Sequence, residues 1–502
     1  MKSQEKYDIP FMNRTDQYDE LMKERATSGR LRVCIVVVTV LALIGGWIAG
    51  SFLPIPGTAD AKNTIQISQV MDPSDKIDTI LNIMENEWFF GKDIEDVSTR
   101  LSDQALYGIT TNEEDPHTSY MSASEMEAFT QSINRNFVGI GVQFIATNGI
   151  NLVERVFKNS PAEKAGVMAG DIIHVIDGTP AEGLTADEIK QLVQGDAGTD
   201  VTIDFLRQGQ TVTITITRAP ISATAFGEIL EDNIAYLQLY QFGEGTSDEI
   251  NAYMDDFIAN NCTKLIVDLR DNGGGYLDAL QKIASRFLPD DTVVMQQEYR
   301  DGSIEVTRTK GNNMINLDGI VILVNENTAS ASEVFTMAMM EQRDDVTVIG
   351  TTTYGKGTVQ ISRLFKDNSA IKYTTSKWLS PSGVWVNETG IEPDIEVKLH
   401  DVMYEMFDGL EEEVKVDSVS DAVKDVQLCL DYLEYDVDRT DGYFSSTTEA
   451  TIRQYQNDHD LPVNGILDNK TYEAIISSVT LDWNTTTNHD TQLAKAVEVL
   501  HG

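Results

Sequence analysis

Between residues 319 and 360 the chain runs through an apolar β-branched segment (GIVILVNE), a cluster of small hydroxyl residues, a helix-periodic segment (ASEVFTMAMMEQ) and a glycine-flanked lysine. Few folds accommodate that order. The first segment reads as a buried strand. In the third, Val334, Met337, Ala338 and Glu341 recur at helical spacing. Thr328, Ser330 and Ser332 occupy the turn between them, where hydroxyls cap a helix start. A serine there sits at the positive end of the helix, beside free backbone N–H groups. A second strand, DVTVIG, leads to TTTYGKGTVQ, with Lys356 between Gly355 and Gly357. A serine hydroxyl becomes a strong nucleophile when a neighbouring base takes its proton. Lysine can be that base once desolvation disfavours its ammonium form. The flanking glycines let backbone approach closely without obstructing the amine. Spacing alone also fits an ordinary capping serine and a surface turn lysine.

TASASEVF followed by YGKGTVQ resembles the active-site signature of the carboxyl-terminal processing peptidases, or tail-specific proteases. The resemblance implies Ser330 as nucleophile, Lys356 as base and Gln360 as the residue that orients it. The interval from Ser330 to Lys356 is one residue longer than the family pattern, which suggests an insertion near residues 342–345, and Thr328 stands where serine is usual. Asp268-Leu269-Arg270-Asp271-Asn272-Gly273-Gly274-Gly275 resembles the family's Asp-Leu-Arg-x-Asn-x-Gly-Gly element. A glycine-rich strand end offers unblocked N–H groups to a developing oxyanion. By resemblance, Gly274 and Ala331 donate those bonds. SKWLSPSGVWVNETGIEPDIEV looks like the family's closing segment.

The glycines around Lys356 also nearly spell a phosphate-binding P-loop, Gly350-TTTY-Gly355-Lys356. Gly357 then stands where Ser or Thr should hold Mg²⁺, and TVQISRLF alternates like a strand where a P-loop opens a helix. Nucleotide binding is not expected. The net charge of −42 argues against nucleic acid, which needs a basic face. Three dispersed cysteines give no disulfide framework and no metal-ligand spacing. No metal or organic cofactor is implied.

Residues 1–32 form a polar tail, and 33–53 (VCIVVVTVLALIGGWIAGSFL) an uncharged run long enough to cross a bilayer, for which about 20 apolar residues suffice. Lys23, Arg25, Arg30 and Arg32 precede the run, an asymmetry that puts the N-terminus in the cytoplasm. A single-span anchor is expected in place of a cleaved signal peptide, although Ala59-Asp60-Ala61 could serve as a cleavage site. The rest then lies outside the membrane. A linker (54–74) leads to helical segments (75–123) that end near Asp115-Pro116-His117, which resembles the family's lead into its PDZ module. His117 beside Asp115 also raises a Ser-His-Asp triad as a rival.

Residues 124–220 read as short alternating strands around one helix, 186–193. SPAEKAGVMAGDIIHVIDG resembles the centre of a circularly permuted PDZ domain. PDZ domains add an extended peptide as a strand and cradle its terminal carboxylate in backbone N–H groups. The resemblance makes Val138, Gly139, Ile140 and Gly141 the carboxylate loop and ligand-pairing strand, whereas pattern alone also fits a hairpin. Gln194 departs from the Arg-Gly frequent in the family. Residues 221–400 alternate strand and helix, as in a layered α/β core with parallel strands. An acidic linker (401–419) precedes a small helical unit (420–480) resembling the peptidoglycan-binding three-helix module, and 481–502 is read as a tail. That module could equally be a plain spacer, since fold does not fix function.

The expected architecture is thus multidomain α/β: a single N-terminal transmembrane helix, a PDZ sandwich or barrel, an α/β Ser–Lys protease core and a small all-α module. The expected function is serine endopeptidase action on protein C-terminal tails at the outer face of the cell membrane. Peptidoglycan is a further expected partner, and a homo-oligomer, a dimer, the expected assembly. The rivals are a catalytically inactive PDZ and wall-binding scaffold and a Ser-His hydrolase.

Overall fold

Alternate residues of the central strands point to opposite faces of one sheet, and each face has its own helical cover. In the computed structural model this sheet holds, in order, Ala225–Ile229, Ile234–Leu239, Lys264–Asp268, Gly319–Val324, Val346–Gly350 and Ile395–Glu396. The first pair is antiparallel and the remaining neighbours are parallel. Leu265, Val267, Ile320, Ile322 and Val324 face the helices Thr246–Ala259, Leu277–Ala284 and Ala331–Gln342. Ile266, Val321 and Leu323 face the other way, onto Leu493, Ala496 and Leu500. Both faces of a parallel sheet must be covered, so its strands read as near-continuous apolar runs.

The structure describes residues 72–501 apart from 135, 148–149, 158, 223, 312–313, 406, 408, 411 and 486–488. The expected transmembrane run 33–53 lies outside the described residues. Among those described, no helix is long and apolar enough to cross a membrane. Residues 1–88 and 89–502 are separate units. In the first, the helix Pro73–Asn86 starts on an Asp72 cap with proline in its first turn.

A second sheet of the core pairs Ala370–Leu379 with Ser119–Met121, Val293–Tyr299 and Thr358–Leu364, all antiparallel. The PDZ-like unit is an antiparallel sheet in the order Val142–Thr147, Ile150–Val156, Ile172–Ile176, Asp200–Arg207, Gln210–Thr217. Its helix Ala186–Val193 begins with a capping box between Thr185 and Glu188. Asn136–Gly139 and Ala219–Ser222 form a two-stranded stem.

The three expected C-terminal helices are Asp421–Tyr432, Ser446–Asp458 and Asn469–Thr485. One stretch read as a linker and one read as a tail hold ordered elements. The acidic segment 401–419 contributes Val402 to the module's core and an isolated bridge between Val414 and Leu467. The residues taken as a tail include the helix Thr491–His501, whose Leu493, Ala496 and Leu500 close the second face of the central sheet. Burying each leucine there contributes about 1.5–3 kcal/mol. Its apolar stripe is short and follows a polar stretch, so local pattern alone suggested nothing to pack it on.

Candidate active site

Ser330 sits at the start of the helix Ala331–Gln342 with φ +58° and ψ −118°. Capping residues ordinarily adopt extended backbone, so a serine forced to positive φ stores strain of the kind that clusters at functional sites. Its turn is held from both sides. The fully buried Thr328 hydroxyl donates to the Leu269 carbonyl at 2.8 Å, and Ser332 Oγ donates to the Asn272 carbonyl at 2.9 Å. Beside it lies Gly274, at φ +102°, where a Cβ would come within 2.8 Å of the Ser330 Cβ and 2.9 Å of the Ala331 nitrogen. Only glycine fits that approach.

Glu333 joins the two halves of the site. Its carboxylate is completely buried and accepts four neutral donors. Oε2 takes the Ser330 N–H at 2.8 Å and the Lys356 N–H at 2.9 Å. Oε1 takes the Gly355 N–H at 2.7 Å and the Thr353 hydroxyl at 2.6 Å. One oxygen therefore anchors the backbone of both residues singled out as nucleophile and base. The Lys356 carbonyl accepts the Trp378 indole N–H at 2.7 Å. Trp385 and Asn387 crowd Gly357 so closely that a Cβ would fall 2.4 Å from the indole nitrogen.

The Lys356 side chain is largely buried, and burial, assisted by the charge of Lys372, pushes its amine below the ordinary lysine value against the opposing pull of Glu333. Among the described residues no carboxylate pairs with its amine, because every Glu333 oxygen is spent on neutral donors. A strand follows Gly357, not a helix, as the argument against a P-loop required.

Gln360 lies on that strand just after a bulge between Val359 and Gln360. Such irregularities re-aim side chains beside active sites. Its amide donates to Thr358 Oγ1 at 2.8 Å and Thr374 Oγ1 at 3.0 Å, and no hydrogen bond joins it to Lys356. Thr374 passes the chain on to Asp115 at 3.1 Å. Asp115 also accepts the His117 backbone N–H and the Thr118 hydroxyl, so its carboxylate holds a turn and does not orient the imidazole. Burial and the Lys356 charge push His117 below its ordinary value, and Asp115 only partly opposes them. Neither Lys356 nor His117 is hydrogen-bonded to Ser330.

Of the two expected oxyanion donors, Ala331 N–H opens its helix, where no intrahelical acceptor exists. Gly274 lies against Ser330, but its N–H donates to Asn272 Oδ1 at 2.9 Å, a bond it must release before serving an oxyanion. In the PDZ-like unit Val138 and Gly139 are already paired with Pro220 and Ala219. Ile140 is core, its carbonyl accepting from Ala162 at 2.8 Å, and Gly141 takes φ +85° against Ser160. The next strand, Val142–Thr147, is one of the two edges of the sheet among the described residues, the other being Gln210–Thr217, and it shares one apolar cluster with Ile189 and Val193 of the helix.

Glu333, Trp378, Thr374 and Lys372 were not singled out from the sequence. The spacing Ser330-x-x-Glu333 is a capping-box pattern and could have marked the glutamate. The others are distant in sequence and carry no local signal.

Residues 233–397 match the profile of "Peptidase family S41", residues 138–217 that of a PDZ domain, and residues 419–475 that of a "Putative peptidoglycan binding domain". A "Probable CtpA-like serine protease" of Staphylococcus haemolyticus is 34% identical over 378 residues, covering 74% of this chain and 75% of its own. The "Carboxy-terminal processing protease CtpA" of Bacillus subtilis is 31% identical over 403 residues, covering 80% and 85%. Among solved structures, a photosystem II D1 C-terminal processing protease overlaps at 22% identity and a TM-score of 0.40, over 65% of this chain and 94% of that one.

Proposed function

The chain belongs to peptidase family S41, with the carboxy-terminal processing serine proteases, and from that premise we propose that it cleaves proteins near their C-terminal tails with a Ser330–Lys356 dyad. The observation that carries this reading is the shared Glu333 oxygen, which clamps a strained serine and a desolvated lysine to one point. Ser330 Oγ attacks the scissile carbonyl while Lys356 Nζ takes its proton, then returns it to the leaving amine. Water resolves the acyl-enzyme by the same route in reverse. For this the amine must come within hydrogen-bond reach of Oγ, a contact that tightens in the substrate complex. Ala331 and Gly274 stabilise the tetrahedral oxyanion, each such donor being worth about 10²–10³ in rate. Gln360 positions the lysine from the bulged strand.

The PDZ domain takes the tail as an added strand along Val142–Thr147, with the carboxylate at the loop of Gly139, Ile140 and Gly141. Residues 33–53 anchor the protein in the cell membrane with the N-terminus cytoplasmic, and the catalytic part works outside, where the C-terminal module binds peptidoglycan. The working form is a dimer. The test is cleavage of an unstructured protein with an apolar tail by the full chain beside Ser330→Ala, Lys356→Ala and His117→Ala. Cleavage lost in the first two and retained in the third supports the dyad. Loss in His117→Ala with survival in Lys356→Ala returns the Ser-His hydrolase. Tail binding without cleavage in the wild type returns the scaffold.

A further inference from the structure

Arg270 immediately precedes the loop of residues 271–275 that lies against Ser330, and it is gripped by a residue 220 positions away. Its Nη1 donates to Asp490 Oδ1 at 3.0 Å and Gln492 Oε1 at 3.1 Å, and its Nη2 to Asp490 Oδ2 at 2.8 Å. The other side of the guanidinium holds the fully buried Asp268 at 2.6 Å, which in turn accepts the Tyr236 hydroxyl at 2.7 Å. The Trp483 ring covers the group at 5.8 Å. Asp490 also caps the helix Thr491–His501, accepting the Leu493 N–H at 2.9 Å. That helix is fixed to the sheet by its leucines and by Gln492 donating to the Val397 carbonyl at 2.8 Å.

We propose that Asp490 is a positioning residue for the peptidase reaction: by fixing Arg270 it sets the path of residues 271–275, and with it the distance from Gly274 to Ser330. Asp268 grips Nε and Nη2 from one side and Asp490 grips Nη1 and Nη2 from the other, so the guanidinium is held in one geometry only while both carboxylates are in place. Displacements of the order of an ångström at such a loop cost up to about 100-fold in rate. The C-terminal helix is then part of the catalytic unit. This rests on the Ser330 reading above.

The test uses the full chain carrying Asp490→Asn, Asp490→Ala or Ser330→Ala. Asparagine caps a helix as well as aspartate, so Asp490→Asn removes the charge and keeps the helix start. Four quantities are compared: kcat and KM on a tailed substrate, the burst of acyl-enzyme formed with a p-nitrophenyl ester, and the melting temperature. The expected result for Asp490→Asn is kcat and burst rate reduced about tenfold at equal folded fraction, with KM close to wild type and a lowered melting temperature, since Arg270 loses one of its two carboxylates, and a larger loss for Asp490→Ala. A burst rate within about twofold of wild type, or a loss that vanishes at equal folded fraction, overturns the proposal. A burst that persists in Ser330→Ala instead overturns the nucleophile assignment, independently of Asp490.

Discussion

Two partly buried cations lie beside buried carboxylates in this core, and their chemistry diverges because the carboxylates are spent differently. At Arg270 the oxygens of Asp268 and Asp490 go to the guanidinium itself. Burial pushes that guanidinium down, but the paired charges outweigh it and hold it well above its ordinary value. Burial likewise pushes the Asp268 carboxyl up, and Arg270 with Tyr236 brings it below the carboxylate range. At Lys356 all four bonds to Glu333 come from neutral groups, none from the amine. Burial therefore dominates, and the amine shifts toward its neutral form. A cation that is buried and paired is a fastener. One whose neighbouring carboxylate is spent on neutral donors is the better placed to give up its proton.

The largest effect that would sharpen this contrast is at Lys356 itself. Lys356→Ala should cut kcat/KM by about 10³-fold or more, since both nucleophile activation and proton return are lost. Arg270→Met leaves Asp268 and Asp490 buried without a counter-charge, and should destabilise the fold by about 3–5 kcal/mol in a denaturant titration. Glu333→Gln turns an N–H₂ toward donors that need an acceptor. It should reduce kcat about 100-fold by displacing Ser330 and Lys356 together, and lower the melting temperature as well. If it left activity intact, the clamp would not be what unites the two residues. Lys372→Met removes a charge that opposes protonation of Lys356, so the acid limb of the pH–rate profile should move to higher pH.

The smallest expected effect is on stability. Because the Lys356 amine is held below its unfolded-state value, its protonation costs stability at pH below the folded pKa, and this cost fades as pH rises past the unfolded value. Lys356→Met should therefore melt modestly higher than wild type at neutral pH and converge with it in alkali. Equal melting at every pH would mean the amine is not desolvated.

Much of the core was legible because its signals are local. The strand Gly319–Val324, the turn at Ser330, the helix Ala331–Gln342 and the strand after Gly357 each follow from patterns within a few residues. The PDZ helix Ala186–Val193 was also placed from the sequence, and the structure shows a capping box of Thr185 and Glu188 at its start. What escaped depends on contacts between segments far apart in sequence. Trp378 over the Lys356 carbonyl, Thr374 between Gln360 and Asp115, and Asp490 on Arg270 leave no periodic trace. The helix Thr491–His501 was missed because its apolar face makes sense only once the sheet it covers is known.

The central claim is that Lys356 acts as a neutral base on Ser330, and its most direct test is the pH dependence of kcat/KM for a tailed substrate. The account predicts a rate that rises with pH through one ionisation below the ordinary lysine range, retained in His117→Ala and shifted upward in Lys372→Met. A flat profile, or a limb that disappears with His117, would contradict it.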